Sequence, residues 1–135
     1  MQQFSKTLIA WHKQSGRSGL PWQGNRDPYA VWVSEIMLQQ TQVATVLERY
    51  PRFMKRFPTV KKLAAADVDE VLAEWAGLGY YSRARNLHAC AQQVVNQFSG
   101  KFPSDPLLLE QLKGIGRSTA GAIAAFAFHE RAPIL

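Results

Sequence analysis

Leu112-Lys113-Gly114-Ile115-Gly116-Arg117-Ser118-Thr119-Ala120-Gly121-Ala122 sets two glycines two residues apart between stretches of helical pattern. Glycine takes positive φ without steric cost, so the pair permits a very tight reversal between two helices. Ile115 lies between them and is apolar, suited to plugging into the helix pair. The reversal leaves backbone N–H groups facing outward at the start of the next helix, where the first amides have no intrahelical partner and the helix dipole favours an anion. Gly114, Ile115, Gly116, Arg117 and Ser118 are therefore candidates for gripping a phosphate without reading sequence. An ordinary αα-hairpin turn uses the same glycine spacing. Arg117-Ser118-Thr119 at the helix entry, and the small residues Ala120-Gly121-Ala122 that permit close packing, favour the phosphate reading.

Working outward, the pattern is helical throughout. Arg117 to Phe128 is rich in Ala and Gly and predicts a last helix. Upstream, Asp105-Pro106 opens a short helix ending at Leu112, and Tyr81 to Gln97 predicts a long helix closed by Ser99-Gly100. Gly77-Leu78-Gly79 ends a helix that starts at Asp67 or Asp69 and runs through Trp75, with carboxylates in its first turn as the dipole prefers. Thr59 can cap a short turn through Leu63. Val43 to Phe57 predicts a helix bent near Pro51. Asp27 before Pro28 signals the start of a helix from Tyr29 to about Leu38. Phe4, Leu8, Ile9 and Trp11 mark a first amphipathic helix over 4–14. No stretch alternates with period two, so the fold class is all-α, with six to eight helices and no repeat or low-complexity segment.

Composition bounds the rest. At 135 residues and 47% hydrophobic, the chain suits one domain with its own core. One cysteine, Cys90, excludes an internal disulfide, a four-cysteine zinc site and a cysteine-ligated iron–sulfur cluster within this chain. No run of about 18 apolar residues exists to span a membrane, and the N-terminus lacks a signal-peptide core, so a cytoplasmic protein is expected. Sixteen Lys+Arg against ten Asp+Glu give a net charge of +6, which fits an acidic partner such as nucleic acid or simply a basic solvated surface. The sequence stops at Pro133-Ile134-Leu135, which reads as an interrupted element.

Three further segments carry candidate chemistry. In Trp32-Val33-Ser34-Glu35-Ile36-Met37-Leu38 nearly every helical neighbour of Glu35 is apolar; desolvation raises a carboxyl's pKa and keeps a proton available to a general acid. A glutamate reaching solvent at the helix edge has the same spacing. Gln39-Gln40-Thr41-Gln42 puts three amides and a hydroxyl at a helix break, where they can pair with base edges, wedge into a base stack, or simply cap. Gly77-Leu78-Gly79-Tyr80-Tyr81-Ser82-Arg83-Ala84-Arg85-Asn86-Leu87 presents tyrosines beside two arginines, suited to stacking a base and neutralising phosphate. Tyr81 serves equally as core, and the arginines as a solvated helix face.

In this order and spacing, Leu20-Pro21-Trp22, Trp32 through Val43, Trp75 through Leu87 and Leu112 through Ile123 resemble the helix–hairpin–helix DNA glycosylase superfamily, most closely the adenine DNA glycosylases of the MutY type. The resemblance implies a two-lobed fold with DNA in the cleft: residues 21–135 form the six-helix lobe with its hairpin at 112–122, and residues 1–20 hold a helix of the second lobe, whose C-terminal partners lie beyond this sequence. It implies base excision repair, in which adenine mispaired with 8-oxoguanine or guanine is flipped from double-stranded DNA and its glycosidic bond hydrolysed. By resemblance Glu35 protonates the leaving adenine, Trp22 and Gln23 wall the pocket, Gln40 with Thr41 fills the vacated stack, and Leu78 and Tyr80 meet the opposing base. Arg83 and Arg85 belong with that DNA face. Ser118 stands in the pocket where lyase-type relatives carry a nucleophilic lysine, which implies a monofunctional enzyme using water. Lys113 replaces a proline common in relatives and is a phosphate contact or a neutral change.

The family also has an aspartate after an apolar P-I-L-like stretch, a 4Fe-4S cluster held by four cysteines, and a C-terminal lesion-recognition domain. The sequence stops before all three, so the chain is expected to bind no cluster, to excise little adenine alone, and to self-associate through the apolar face of its 4–14 helix. A helix–hairpin–helix module that binds DNA or a partner without catalysis is the alternative, and a lyase of the endonuclease III type a third.

Overall fold

A computed structural model describes residues 27–128. The expected 4–14 helix, its apolar face, Trp22, Gln23 and the Pro133–Leu135 end lie outside the described residues. Those described form helices and no strand: α1 Pro28–Leu38, α2 Val43–Arg56, α3 Val60–Ala65, α4 Val68–Glu74, α5 Tyr81–Phe98, α6 Pro106–Leu109 and α7 Arg117–Ala127.

Several helices start at a side-chain cap. Asp27 accepts from the Tyr29 amide at 3.1 Å, with Pro28 in the first turn where its missing N–H costs nothing. Thr59 accepts from the Lys62 amide at 3.2 Å. The start left open between Asp67 and Asp69 falls at Asp67, whose amide donates to Glu70 Oε1 at 3.1 Å, the reciprocal half of a capping box. α2 runs on as one helix through Pro51, with Val46, Tyr50 and Phe53 on its buried face.

α1 is the central element. Every residue from Tyr29 to Leu38 is buried, because α7 and α2 pack against it and α5 crosses it. A helix covered on all sides has no polar stripe. α3 and α4 pack on α5, and α6 on α7. Aromatic contacts lock this core: the Trp32 and Phe102 rings are tilted with centroids 5.2 Å apart, and Phe53 and Trp75 meet edge-on at 6.0 Å. Cys90 is fully buried in α5, its thiol pushed up to about 12 by desolvation.

Two expectations change at the hairpin. The short helix ends at Leu109, not Leu112, because Gln111, Leu112 and Ile115 donate to Leu108, Leu109 and Leu112 in tight three-residue steps. Of the two glycines, only Gly114 takes positive φ (+76°); Gly116 is extended at φ −86°, ψ −177° and starts α7.

Candidate functional site

Glu35 lies on α1, the most enclosed helix. It is 6% exposed, its Oε2 has no hydrogen-bond partner, and desolvation alone pushes its carboxyl up to about 8. A carboxyl in that state is protonated at neutral pH and holds a donor proton not committed to a neighbour. The alternative of a carboxylate reaching solvent at the helix edge does not hold.

The C-terminal end of α1 meets the first turns of α5 and α7. Gln39 Nε2 donates to Thr119 Oγ1 at 3.0 Å, tying the end of α1 to the start of α7, two residues after Arg117. Gln40 is exposed with φ +57°, and Tyr80, at the start of α5, is 63% exposed with φ +50°. A cleft of about 110 Å³ opens between these elements, lined by Trp32, Ile36, Gln39, Asn86, Lys113 and Gly114 among others.

The hairpin reaches solvent as expected. Gly114, Gly116 and Arg117 are exposed, Ser118 is half-buried, and Ile115 is 4% exposed in the core, anchoring the reversal. Arg85 is exposed on α5, and Thr41 is half-buried.

Two expected DNA contacts face inward. Leu78 is 5% exposed and belongs to the core; its turn offers backbone, not an apolar side chain, to solvent. Arg83 is also committed inside the fold. Its Nη1 donates to Ile36 O at 2.7 Å, to Met37 O at 3.3 Å and to Gln39 O. Its Nη2 donates to Thr41 Oγ1 at 2.8 Å, Leu78 O at 3.2 Å and Gly79 O at 3.3 Å. The guanidinium also lies over the Trp75 and Tyr80 rings, 5.4 and 5.6 Å from their centroids. At the end of α1, where carbonyls run out of intrahelical donors, Ile36 O takes the Gln39 amide at 3.3 Å, and Arg83 adds a donor to it, to Met37 O and to Gln39 O.

Sequence reading gave Gln39 and Asn86 no role of their own within the segments it singled out, and it missed Gln93. Gln93 accepts from the Lys113 amide at 2.9 Å and donates to Gln111 O at 3.2 Å, while Asn86 packs beneath Gly114. These two stand seven residues apart on α5, on one helical stripe, and that spacing was the available signal.

Among the described residues no group of three or more His, Cys, Asp or Glu is placed to hold a metal. An iron–sulfur cluster needs four thiolates, and the chain has one cysteine, so its residues do not fit that group.

The chain is 48% identical over 126 residues to the adenine DNA glycosylase of Buchnera aphidicola subsp. Baizongia pistaciae, covering 93% of this chain and 36% of that protein. It is 48% identical over 134 residues to the adenine DNA glycosylase of Homo sapiens, covering 93% of this chain and 24% of that one. It thus spans about a quarter to two-fifths of the length of its curated relatives. Among solved structures it resembles a thermostable thymine-DNA glycosylase, with TM-score 0.82, 26% identity, and coverage of 98% of this chain and 61% of that one. The fold also matches endonuclease III in a non-covalent DNA complex, with TM-score 0.73, 21% identity, and coverage of 96% and 61%. With residues 33–132 matching its pattern, the chain belongs to the HhH-GPD superfamily of base excision DNA repair proteins.

Proposed function

We propose that this chain is the acid-bearing, DNA-gripping part of a monofunctional adenine DNA glycosylase acting on adenine mispaired with guanine or 8-oxoguanine in duplex DNA. The observation that carries this reading is Glu35: a buried carboxyl with an unpartnered oxygen, held protonated at neutral pH. In the proposed reaction adenine is flipped from the stack and the Glu35 carboxyl transfers its proton to it. The electron pair of the bond between base and sugar leaves with the adenine, producing an oxocarbenium-like sugar. Water adds to the anomeric carbon and gives up a proton, which restores the Glu35 carboxyl.

The other residues divide the remaining work. Gln40 fills the space the base leaves, Thr41 supports it, Tyr80 stacks near the opposing base, and the amides of Gly116, Arg117 and Ser118 hold a phosphate. Trp22 and Gln23 wall the adenine pocket. Ser118 has no amine, so no Schiff base forms and the strand is left intact. No described helix is long and apolar enough to cross a membrane, and the reading places the protein in the cytoplasm with its DNA.

The test compares binding and single-turnover excision on an adenine:8-oxoguanine duplex and a matched duplex. The lesion duplex is expected to bind about tenfold tighter or more. Glu35→Gln should keep that binding and lower whatever excision rate the chain shows by about a hundredfold or more. Equal affinity for both duplexes, unchanged by Glu35→Gln, would instead identify a non-catalytic DNA-binding module. Borohydride trapping of a covalent adduct would indicate a lyase.

A further inference from the structure

Arg83 makes contacts that neither DNA binding nor a simple helix cap explains. A phosphate contact requires free N–H groups facing outward, yet both terminal nitrogens of this guanidinium donate within the fold. A helix cap would explain Ile36 O and Met37 O, but not Thr41 Oγ1, Leu78 O or Gly79 O. The acceptors divide by nitrogen: Nη1 serves the end of α1 and the carbonyl leading into Gln40, and Nη2 serves Thr41 and the turn leading into Tyr80.

Backbone conformation supplies a second, independent observation. Among the described residues, three non-glycine positions have positive φ: Gln40, Tyr80 and Ser99. Such a conformation persists in a non-glycine residue only where the surroundings hold it. Gln39 O and Gly79 O, which Arg83 grips, belong to the peptide groups that lead directly into Gln40 and Tyr80. A planar fork can reach two separate turns at once, whereas an ammonium donates from one point.

We propose that Arg83 is a positioning residue: its guanidinium locks the Gln39–Thr41 turn to the Leu78–Tyr80 turn, so that Gln40 and Tyr80 are presented to the duplex as one rigid pair. The locking stands on geometry alone; its use on DNA rests on the glycosylase reading.

Amide exchange measures the locking directly. The Gln39 amide donates to Ile36 O and the Leu78 amide to Trp75 O, one reporter in each turn, and the Ala120 amide donating to Gly116 O is the reference. In the unaltered chain the two reporters should open with matching protection. Arg83→Lys should accelerate both by a similar factor, about tenfold or more, with Ala120 little changed. Thr41→Val, which removes one acceptor of Arg83 together with the hydroxyl's own donation to Gln39 O or Leu78 O, should give a smaller acceleration, again at both turns, and serves if Arg83→Lys does not fold. Acceleration at Gln39 alone would reduce Arg83 to a cap on α1, and acceleration at neither would remove the lock; either overturns the proposal.

The DNA arm uses a duplex with 2-aminopurine in place of the mispaired adenine, whose fluorescence rises on unstacking. Arg83→Lys should lose most of that rise while keeping affinity for a matched duplex. An equal loss of affinity for every duplex, with exchange unchanged, would make Arg83 a phosphate contact and overturn the proposal. If the unaltered chain gives no fluorescence rise, the glycosylase reading falls, and exchange alone decides the lock.

Discussion

At position 35 the surroundings of one carboxyl set both its chemistry and its cost to the fold. Unfolded, the group titrates near 4.5; folded, burial pushes it up to about 8. Between those values the folded protein keeps a proton that the unfolded chain has released. Stability therefore falls as pH rises through that window, and below it the group makes no difference. Glutamine has the same shape and cannot ionise, so Glu35→Gln should be close to neutral at pH 4.5 and stabilising by about 4 to 5 kcal/mol at pH 8.5. Thermal unfolding at the two values checks this; a stability difference independent of pH would mean that the carboxyl is solvated. The burial was legible because Val31, Trp32 and Leu38 surround Glu35 at helical spacing. Arg83 was not legible. Its acceptors at Ile36, Gln39 and Thr41 lie more than forty residues away in sequence, and no local pattern distinguishes an arginine turned inward from the exposed Arg85 two positions on.

At the scale of elements, the hairpin separates two glycines that look equivalent in sequence. Gly114 has φ +76°, and a Cβ there would stand 3.2 Å from Asn86 Cβ. Gly114→Ala should cost about 1–2 kcal/mol of stability, from backbone strain and the displaced Asn86. Gly116 is extended, and a Cβ there meets nothing within 4 Å. Gly116→Ala should stay within about 0.5 kcal/mol of the parent, yet weaken duplex binding about tenfold by standing in front of the amides at the start of α7. Denaturant melts and duplex titrations measure the two effects separately; a Gly116→Ala chain that binds normally would move the phosphate away from this helix end. Helix starts were legible because caps are local: Asp27, Thr59 and Asp67 each act within three residues. The end of α6 was not, since Leu107 to Leu112 supports either a regular helix or the tight turns observed, and the choice is made where Gln93 of α5 takes the Lys113 amide and the Gln111 carbonyl.

Over the whole molecule, charge is sorted along the chain in a way that its net value of +6 does not reveal. No carboxylate occurs from Trp75 to Ser104 or from Gln111 to Phe128, while Asp67, Asp69, Glu70 and Glu74 gather around α4. Arg56 is drawn to that acidic side, 2.5 Å from Glu70 and 3.4 Å from Glu74. Around the hairpin and the first turns of α5, the exposed cations are Arg85, Lys113 and Arg117. If those three each neutralise a phosphate, the logarithm of duplex affinity should fall against the logarithm of salt concentration with a slope of about −3. Lys113→Ala and Arg117→Ala should each flatten the slope by about one unit and weaken every duplex alike, as contacts to backbone and not to bases do. Arg83→Lys should leave the slope unchanged, because that charge is held by carbonyls inside the fold. Titrations from low to physiological salt decide between the two surfaces available: a slope insensitive to Lys113 and Arg117 but flattened by removing Arg49, Arg52 or Lys55 would put the duplex along α2 instead of across the hairpin.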